Sequence, residues 1–127
     1  EKAKSLSLVD DLIFTDYIAE EDKPALIAGA KVFVLTSFWE GFGLDVLSAM
    51  ALGVPVVVSN AGSLPEIVEE AGVVVDPKKP KSITAGIQKV LSLSENEYNN
   101  LIQKGLRQAE RFSWEKTAGE TMNVYER

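Results

Sequence analysis

Gly53-Val54-Pro55-Val56-Val57-Val58-Ser59 is the stretch that decides the fold. Val54 to Val58 is a continuous apolar run with no polar alternation, so a strand built from it is buried on both faces. Such strands belong mostly to parallel sheets, where helices cover both sides. On its N-terminal side, Leu44 to Leu52 is apolar nearly all round and predicts a buried helix. Gly53 stops that helix, and Pro55 bars its continuation. Three further runs have the same continuous, apolar character: Leu12-Ile13-Phe14, Val32-Phe33-Val34-Leu35 and Val73-Val74-Val75. Four strands are therefore expected, with helical segments between them. That alternation predicts an α/β layer fold with βαβ crossovers.

The helices carry their own boundary signals. Glu20-Glu21-Asp22 places negative charge at the start of one, Pro24 is tolerated there, and Leu26, Ile27 and Ala30 follow. Ser63-Leu64-Pro65-Glu66 has the capping-box spacing and predicts a short helix to Ala71, with Glu66 as the capping partner of Ser63. The last third is helical only. Ile83, Ile87, Val90 and Leu91 share one face. Ser94-Glu95-Asn96-Glu97 is a second capping box, followed by a stripe of Tyr98, Leu101, Ile102, Leu106, Ala109 and Phe112. Ser113 caps a final helix with Trp114, Ala118, Met122 and Tyr125 on its apolar side. Glu1 to Leu8 reads as the end of a helix running into the first strand. An open parallel sheet usually has more strands than these four, so a βαβ unit upstream of Glu1 is expected.

Composition narrows the chemistry. The chain has 127 residues, the size of one domain. Thirteen Lys and Arg against nineteen Asp and Glu give a net charge of -6, which argues against a generally basic nucleic-acid surface. Neither Cys nor His occurs, which removes thiol nucleophiles, histidine bases and Cys/His zinc sites. Proton transfer would fall to a carboxylate, Lys or Tyr. No apolar run approaches the ~20 residues that span a bilayer, and a cytoplasmic location is the expectation.

Ligands of open parallel sheets bind beyond the carboxyl ends of the strands. Asp16-Tyr17, Thr36 to Glu40, Ser59-Asn60 and Asp76 are expected to meet there. Gly41-Phe42-Gly43-Leu44 joins a strand end to a helix start, where free N–H groups and the helix dipole suit a phosphate. Glu40 precedes that turn and is placed to hydrogen-bond sugar hydroxyls or to stabilise developing positive charge. Trp39 and Phe42 can stack on a ligand ring or cover the core, and core cover is the expected role. Asp45, in the first helical turn, competes with an anion for the same N–H groups. Lys78, Lys79 and Lys81 are expected to face solvent.

At these residues the sequence resembles a known family. Phe38-Trp39-Glu40-Gly41-Phe42-Gly43-Leu44, Ala49-Met50-Ala51-Leu52-Gly53-Val54-Pro55-Val56-Val57, Ser63-Leu64-Pro65-Glu66, Ala71-Gly72 and Val75-Asp76-Pro77 occur in linked register. Together with Phe112-Ser113-Trp114-Glu115-Lys116-Thr117-Ala118, they resemble the retaining GT-B glycosyltransferases of family 4, also called group 1. The resemblance implies that residues 1–127 form a single, N-terminally truncated Rossmann-like domain, the C-terminal half of a GT-B fold, lacking its first βαβ unit. It implies a nucleoside-diphosphate sugar as donor substrate, with no cofactor and no metal. The acceptor would be held by a separate N-terminal domain, through which the enzyme could also touch a membrane.

By resemblance, Glu40 is the catalytic glutamate that touches the transferred sugar. Gly41, Phe42, Gly43 and Leu44 face the diphosphate, Tyr17 and Ile18 contact the nucleobase, and Ser48 stands where the family has a second, ribose-binding glutamate. A serine there makes one shorter hydrogen bond in place of a carboxylate's two, a loss of roughly 1.5–3 kcal/mol of donor binding. Asp16 and Asp45 replace uncharged residues of the family pattern. The family's arginine and lysine for the diphosphate belong to a segment upstream of Glu1. The isolated chain is expected to be inactive, because positioning the acceptor against the donor supplies much of the rate, and to self-associate through an exposed sheet edge or apolar face. A non-catalytic or engineered fragment on the same scaffold is the competing reading. A phospho-receiver domain stands third: Asp10-Asp11 resembles its acidic pair but precedes a strand instead of ending one.

Overall fold

The computed structural model describes residues 1–127. Its centre is a parallel three-stranded sheet in the order β1 (Phe33–Leu35), β2 (Val56–Ser59), β3 (Val73–Val75). Val57 of β2 stands opposite Val34 of β1 and Val73 of β3. All four residues of β2 are buried, as a central strand with helices on both sides requires. Side chains alternate between the faces. Val56 and Val58 enter one core with Val46, Ala49, Met50, Leu64, Ile67 and Val68. Val57 enters a second, smaller one with Val75 and Val90.

The helices around this sheet are α1 (Lys2–Ser5), α2 (Lys23–Ala28), α3 (Leu44–Ala51), α4 (Leu64–Val68), α5 (Pro80–Leu91), α6 (Glu95–Ala109) and α7 (Trp114–Tyr125). The α/β class and the parallel sheet agree with the sequence expectation. None of the helices is long and apolar enough to cross a membrane.

Several expectations are corrected. Leu12-Ile13-Phe14 forms no strand, and the sheet has three strands instead of four. Leu12 has extended backbone angles, yet it joins no ladder of the sheet. Ile13 and Phe14 consequently stand 90% and 75% exposed. The helix at Leu44 is amphipathic and not buried all round: Val46, Ala49 and Met50 face the core while Leu44 and Leu52 are exposed. Glu20-Glu21-Asp22 lies before α2, whose first turn holds no acid. Helix α7 has its expected Ser113 cap, with Oγ accepting from the Lys116 N–H, but no residue of it is buried.

Helix α6 packs through small and polar residues that a hydrophobic stripe does not reveal. Met50 of α3 lies 3.5 Å from where a Cβ would sit on Gly105. Gln108 is buried and donates from Nε2 to the Ile67 carbonyl at 2.9 Å. Its Oε1 accepts from Arg111, which also pairs with Glu69 at 2.8 Å. Glu69 has a positive φ of 44°, unusual for a residue with a side chain, at the junction where α4 tightens into its last turn.

The second capping box forms as expected. Ser94 Oγ accepts from the Glu97 N–H, and the Glu97 carboxylate accepts from the Ser94 hydroxyl and N–H. These bonds hold the Glu97 carboxyl below the usual carboxylate range, the hydroxyl contributing most. Asp76 is lowered too, first by the Lys78 N–H at 3.0 Å and then by the Lys79 ammonium at 3.1 Å. A carboxylate lowered in the folded state contributes stability that is present above its unfolded pKa and lost as pH falls through its folded pKa. Unfolding midpoints in urea should therefore hold level from pH ~7 to ~5 and fall below pH ~4. Ser94→Ala should remove the Glu97 share of that fall; an identical pH profile for the variant would contradict this account.

Candidate functional site

The carboxyl ends of the three strands converge as the parallel topology requires. Ser59 Oγ donates to the Ser37 carbonyl at 2.6 Å, joining the ends of β2 and β1. The Asn60 N–H donates to the Val75 carbonyl at 2.8 Å, joining β2 to β3. Thr36 to Glu40, Ser59-Asn60 and Asp76 thus lie along one rim.

The glycine turn rises from this rim. Gly43 is the N-cap of α3 with φ 105° and ψ 46°, the left-handed conformation that an L side chain resists. A Cβ there would also come within 2.8 Å of Leu64 Cδ2. Having no side chain, Gly43 cannot cap the helix. The N–H groups of Leu44 and Asp45 make no backbone hydrogen bond, while those of Val46 and Leu47 bond back to the Gly43 carbonyl. Two unpartnered N–H groups and the positive end of the helix dipole therefore face outward at this turn. Asp45 adds a carboxylate in the same first turn.

Glu40 sits half-buried just before the turn and joins none of the ion pairs. Its main chain is held from the loop after β2. The Ser63 N–H and Oγ both lie 3.4 Å from the Glu40 carbonyl, and Ser63 Oγ donates to the Phe42 carbonyl at 2.7 Å. The expected capping box at Ser63 is therefore not formed. Ser63 has helical backbone angles of φ -81° and ψ -11°, and its hydroxyl serves the glycine turn instead of the α4 amides. Forgoing such a cap typically costs about 1 kcal/mol. Glu66 is left exposed, without its capping role.

Trp39 departs from its reading as core cover, whereas Phe42 covers Phe112, which itself packs against the larger core. Trp39 is 79% exposed, and Phe42 packs edge-on against Phe112 with ring centres 6.0 Å apart. Phe42, Leu44, Ser48, Phe112, Trp114 and Thr117 help to line an open apolar groove of about 630 Å³ between α3 and the start of α7. Ser48 Oγ donates to the Leu44 carbonyl of its own helix at 3.0 Å, which leaves its lone pairs outward.

Tyr17 is exposed and Ile18 half-buried, in the segment before α2. Lys23, at the start of α2, was not marked by any motif. Its ammonium is held above the usual lysine range, first by its hydrogen bond with Glu20, against the opposing effect of partial burial, and then by the carboxylate charges of Glu20 and Asp45. Lys23 is thus paired with Glu20, with Asp45 in the first turn of α3 as a weaker, more distant charge. Lys78 and Lys79 are exposed as expected, Lys79 being engaged by Asp76.

Comparison with known proteins assigns the family. The model of the family described as glycosyl transferases group 1 matches residues 1–108. The chain belongs to the group 1 glycosyltransferases. It is 46% identical over 113 residues to the O-antigen chain mannosyltransferase B of Escherichia coli, covering 88% of this chain and 29% of that protein. It is 38% identical over 124 residues to the MMP alpha-(1->4)-mannosyltransferase of Mycolicibacterium hassiacum, covering 94% of this chain and 30% of that protein.

Among solved structures, the sucrose-phosphate synthase of Thermosynechococcus elongatus superposes with a TM-score of 0.86 at 29% identity, over 98% of this chain and 32% of that one. The C-terminal domain of a group 1 glycosyltransferase from Francisella tularensis superposes with a TM-score of 0.75 at 32% identity, over 87% and 57%. This group 1 chain therefore spans about a third of the length of the curated relatives named here.

Proposed function

We propose that this chain binds the nucleoside-diphosphate sugar of a retaining glycosyl transfer, with a mannosyl nucleotide as the donor. The observation that carries this reading is the uncapped start of α3, with two free N–H groups beside Glu40, in a chain of the group 1 family. The mannosyl preference is drawn from relatives named as mannosyltransferases.

In this reading the diphosphate lies against the Gly41–Leu44 turn. When the bond from sugar to diphosphate breaks, negative charge grows on the leaving oxygen. Main-chain N–H groups and a helix dipole fixed in advance stabilise that charge without reorganising. Glu40 faces the sugar, where its carboxylate hydrogen-bonds hydroxyls and opposes the positive charge that develops on the ring. Tyr17 and Ile18 flank the base. Ser48 accepts a single hydrogen bond from the ribose.

Titrating the chain with GDP, UDP and ADP tests the reading, with amide resonances followed by NMR. GDP should shift the amides of Gly41, Gly43, Leu44 and Asp45 at concentrations of about 1 mM, and guanosine should not. Gly43→Ala should abolish the response. Absence of any shift with all three diphosphates at ~10 mM would overturn the proposal.

A further inference from the structure

We infer that Gly62 and Ser63, on the loop after β2, position Glu40 and the glycine turn, Ser63 acting as a positioning residue through its hydroxyl. The inference rests on the donor-site reading for its functional consequence, though not for its geometry. Gly62 has φ 59°, and a Cβ on it would run into the Glu40 carbonyl oxygen and lie 2.9 Å from the Glu40 nitrogen. The two loops thus touch main chain to main chain, at a separation only glycine permits.

Ser63 completes the clamp. Its hydroxyl has one proton, and the 2.7 Å bond to the Phe42 carbonyl takes it; the 3.4 Å approach to Glu40 is at the limit of a hydrogen bond. That short bond holds the peptide between Phe42 and Gly43, and so the direction of the N–H groups that follow it. The Glu40 carbonyl is approached by the Ser63 N–H at the same time. A capping box written into the sequence has been given up, and its serine spans 21 residues to reach the turn. A helix cap needs only a local partner. A hydroxyl diverted to a distant carbonyl beside the proposed reacting group is explained by a requirement on that group's position.

The test compares Ser63→Ala with Ser63→Thr and, as a remote serine control at the end of α5, Ser92→Ala, whose hydroxyl donates to the Lys89 carbonyl. Backbone order parameters from ¹⁵N relaxation are measured without nucleotide, and GDP affinity is then measured by titration. In Ser63→Ala, order parameters over residues 40–43 should fall from ~0.85 to below ~0.6, while α5 and α6 stay rigid. GDP affinity should fall about tenfold. Ser63→Thr should restore both, and Ser92→Ala should change neither.

Unchanged order parameters in Ser63→Ala would overturn the inference, as would equal loosening throughout the sheet or a loosened turn with unaltered GDP affinity. Should the wild-type chain ignore GDP, UDP and ADP alike, the donor-site reading fails separately, and the order parameters still decide whether Ser63 holds the turn; should it bind UDP or ADP instead of GDP, that diphosphate takes the place of GDP in the affinity comparison. Gly62→Ala should loosen residues 40–43 further and resist rescue; if it does not fold, the serine pair remains decisive.

Discussion

Leu64→Ala is expected to lower the unfolding free energy by about 2–5 kcal/mol. Leu64 is fully buried in the larger core, among Val46, Met50, Ile67 and Val68. Its removal takes away apolar contacts and leaves a cavity that the short helix α4 cannot readily close. The loss is large beside a total stability of about 5–15 kcal/mol for a domain of ordinary size. Only 19 of the 127 residues are buried, so few other contacts remain to compensate. Leu64 also lies under the glycine turn, with Cδ2 2.8 Å from where a Gly43 side chain would begin. The same substitution should therefore loosen the start of α3. Urea unfolding measures the stability loss directly; a loss below ~1 kcal/mol would show that the site collapses freely around the deletion.

Gly86→Ala should also destabilise, against what helix propensity alone predicts. Gly86 is in the middle of α5, where alanine is favoured over glycine by about 1 kcal/mol. However, Gly86 is buried against the sheet. An added Cβ would collide with Val75 Cγ1 and come within 3.3 Å of Val57 Cγ1 and 3.4 Å of Val73 Cγ1. These are side chains of two strands locked in parallel register, so the helix must lift off the sheet to make room. Overpacking of this kind costs about 1–3 kcal/mol, enough to exceed the propensity gain. Thermal unfolding of Gly86→Ala beside Gly119→Ala separates the two effects. Gly119 has open space where its Cβ would stand, so its substitution should raise the melting temperature while Gly86→Ala lowers it. Equal rises in both variants would refute tight packing of α5.

The two substitutions place glycine in opposite roles on helices of one chain. The sequence marks neither role, because both glycines occur within good helical patterns. What separates them is the distance to a neighbouring surface. Gly105 stands between the two: a Cβ there would make ordinary contact with Met50 of α3 at 3.5 Å, and the residue lies outside the predicted stripe.

Much of the fold was nonetheless legible. Val56-Val57-Val58 reads as a strand buried on both faces because β-branched residues without polar alternation suit few other environments. Ser94 and Glu97 read correctly as a capping box because both partners lie within one turn. Leu12-Ile13-Phe14 is as apolar as the true strands and has no ladder. Strand formation depends on a neighbour, and a run of three residues does not state whether one is present. Ser63 and Glu66 have the same spacing as Ser94 and Glu97, yet the Ser63 hydroxyl turns to Phe42. Pattern reading registers the local partner and is blind to the competing one.

The candidate site divides in the same way. Glu40, Gly41, Gly43 and Leu44 were legible as a strand-to-helix turn with a carboxylate beside it, since positive φ, free N–H groups and a helix start are encoded within a few consecutive residues. The diversion of the Ser63 hydroxyl to Phe42 was not, because it exists only across elements. By itself, the sequence determined the α/β class, the parallel central strand, the helix caps with local partners, and the family to which the chain belongs. Only the tertiary structure decided that the sheet has three strands, that Trp39 stands in solvent, that Gly86 and Gly105 are contact points, and that Ser63 serves the glycine turn. The physical reason is range: backbone propensity and capping act over one turn or one strand, whereas pairing, close packing and the choice between rival hydrogen-bond partners are settled between residues that only folding brings together.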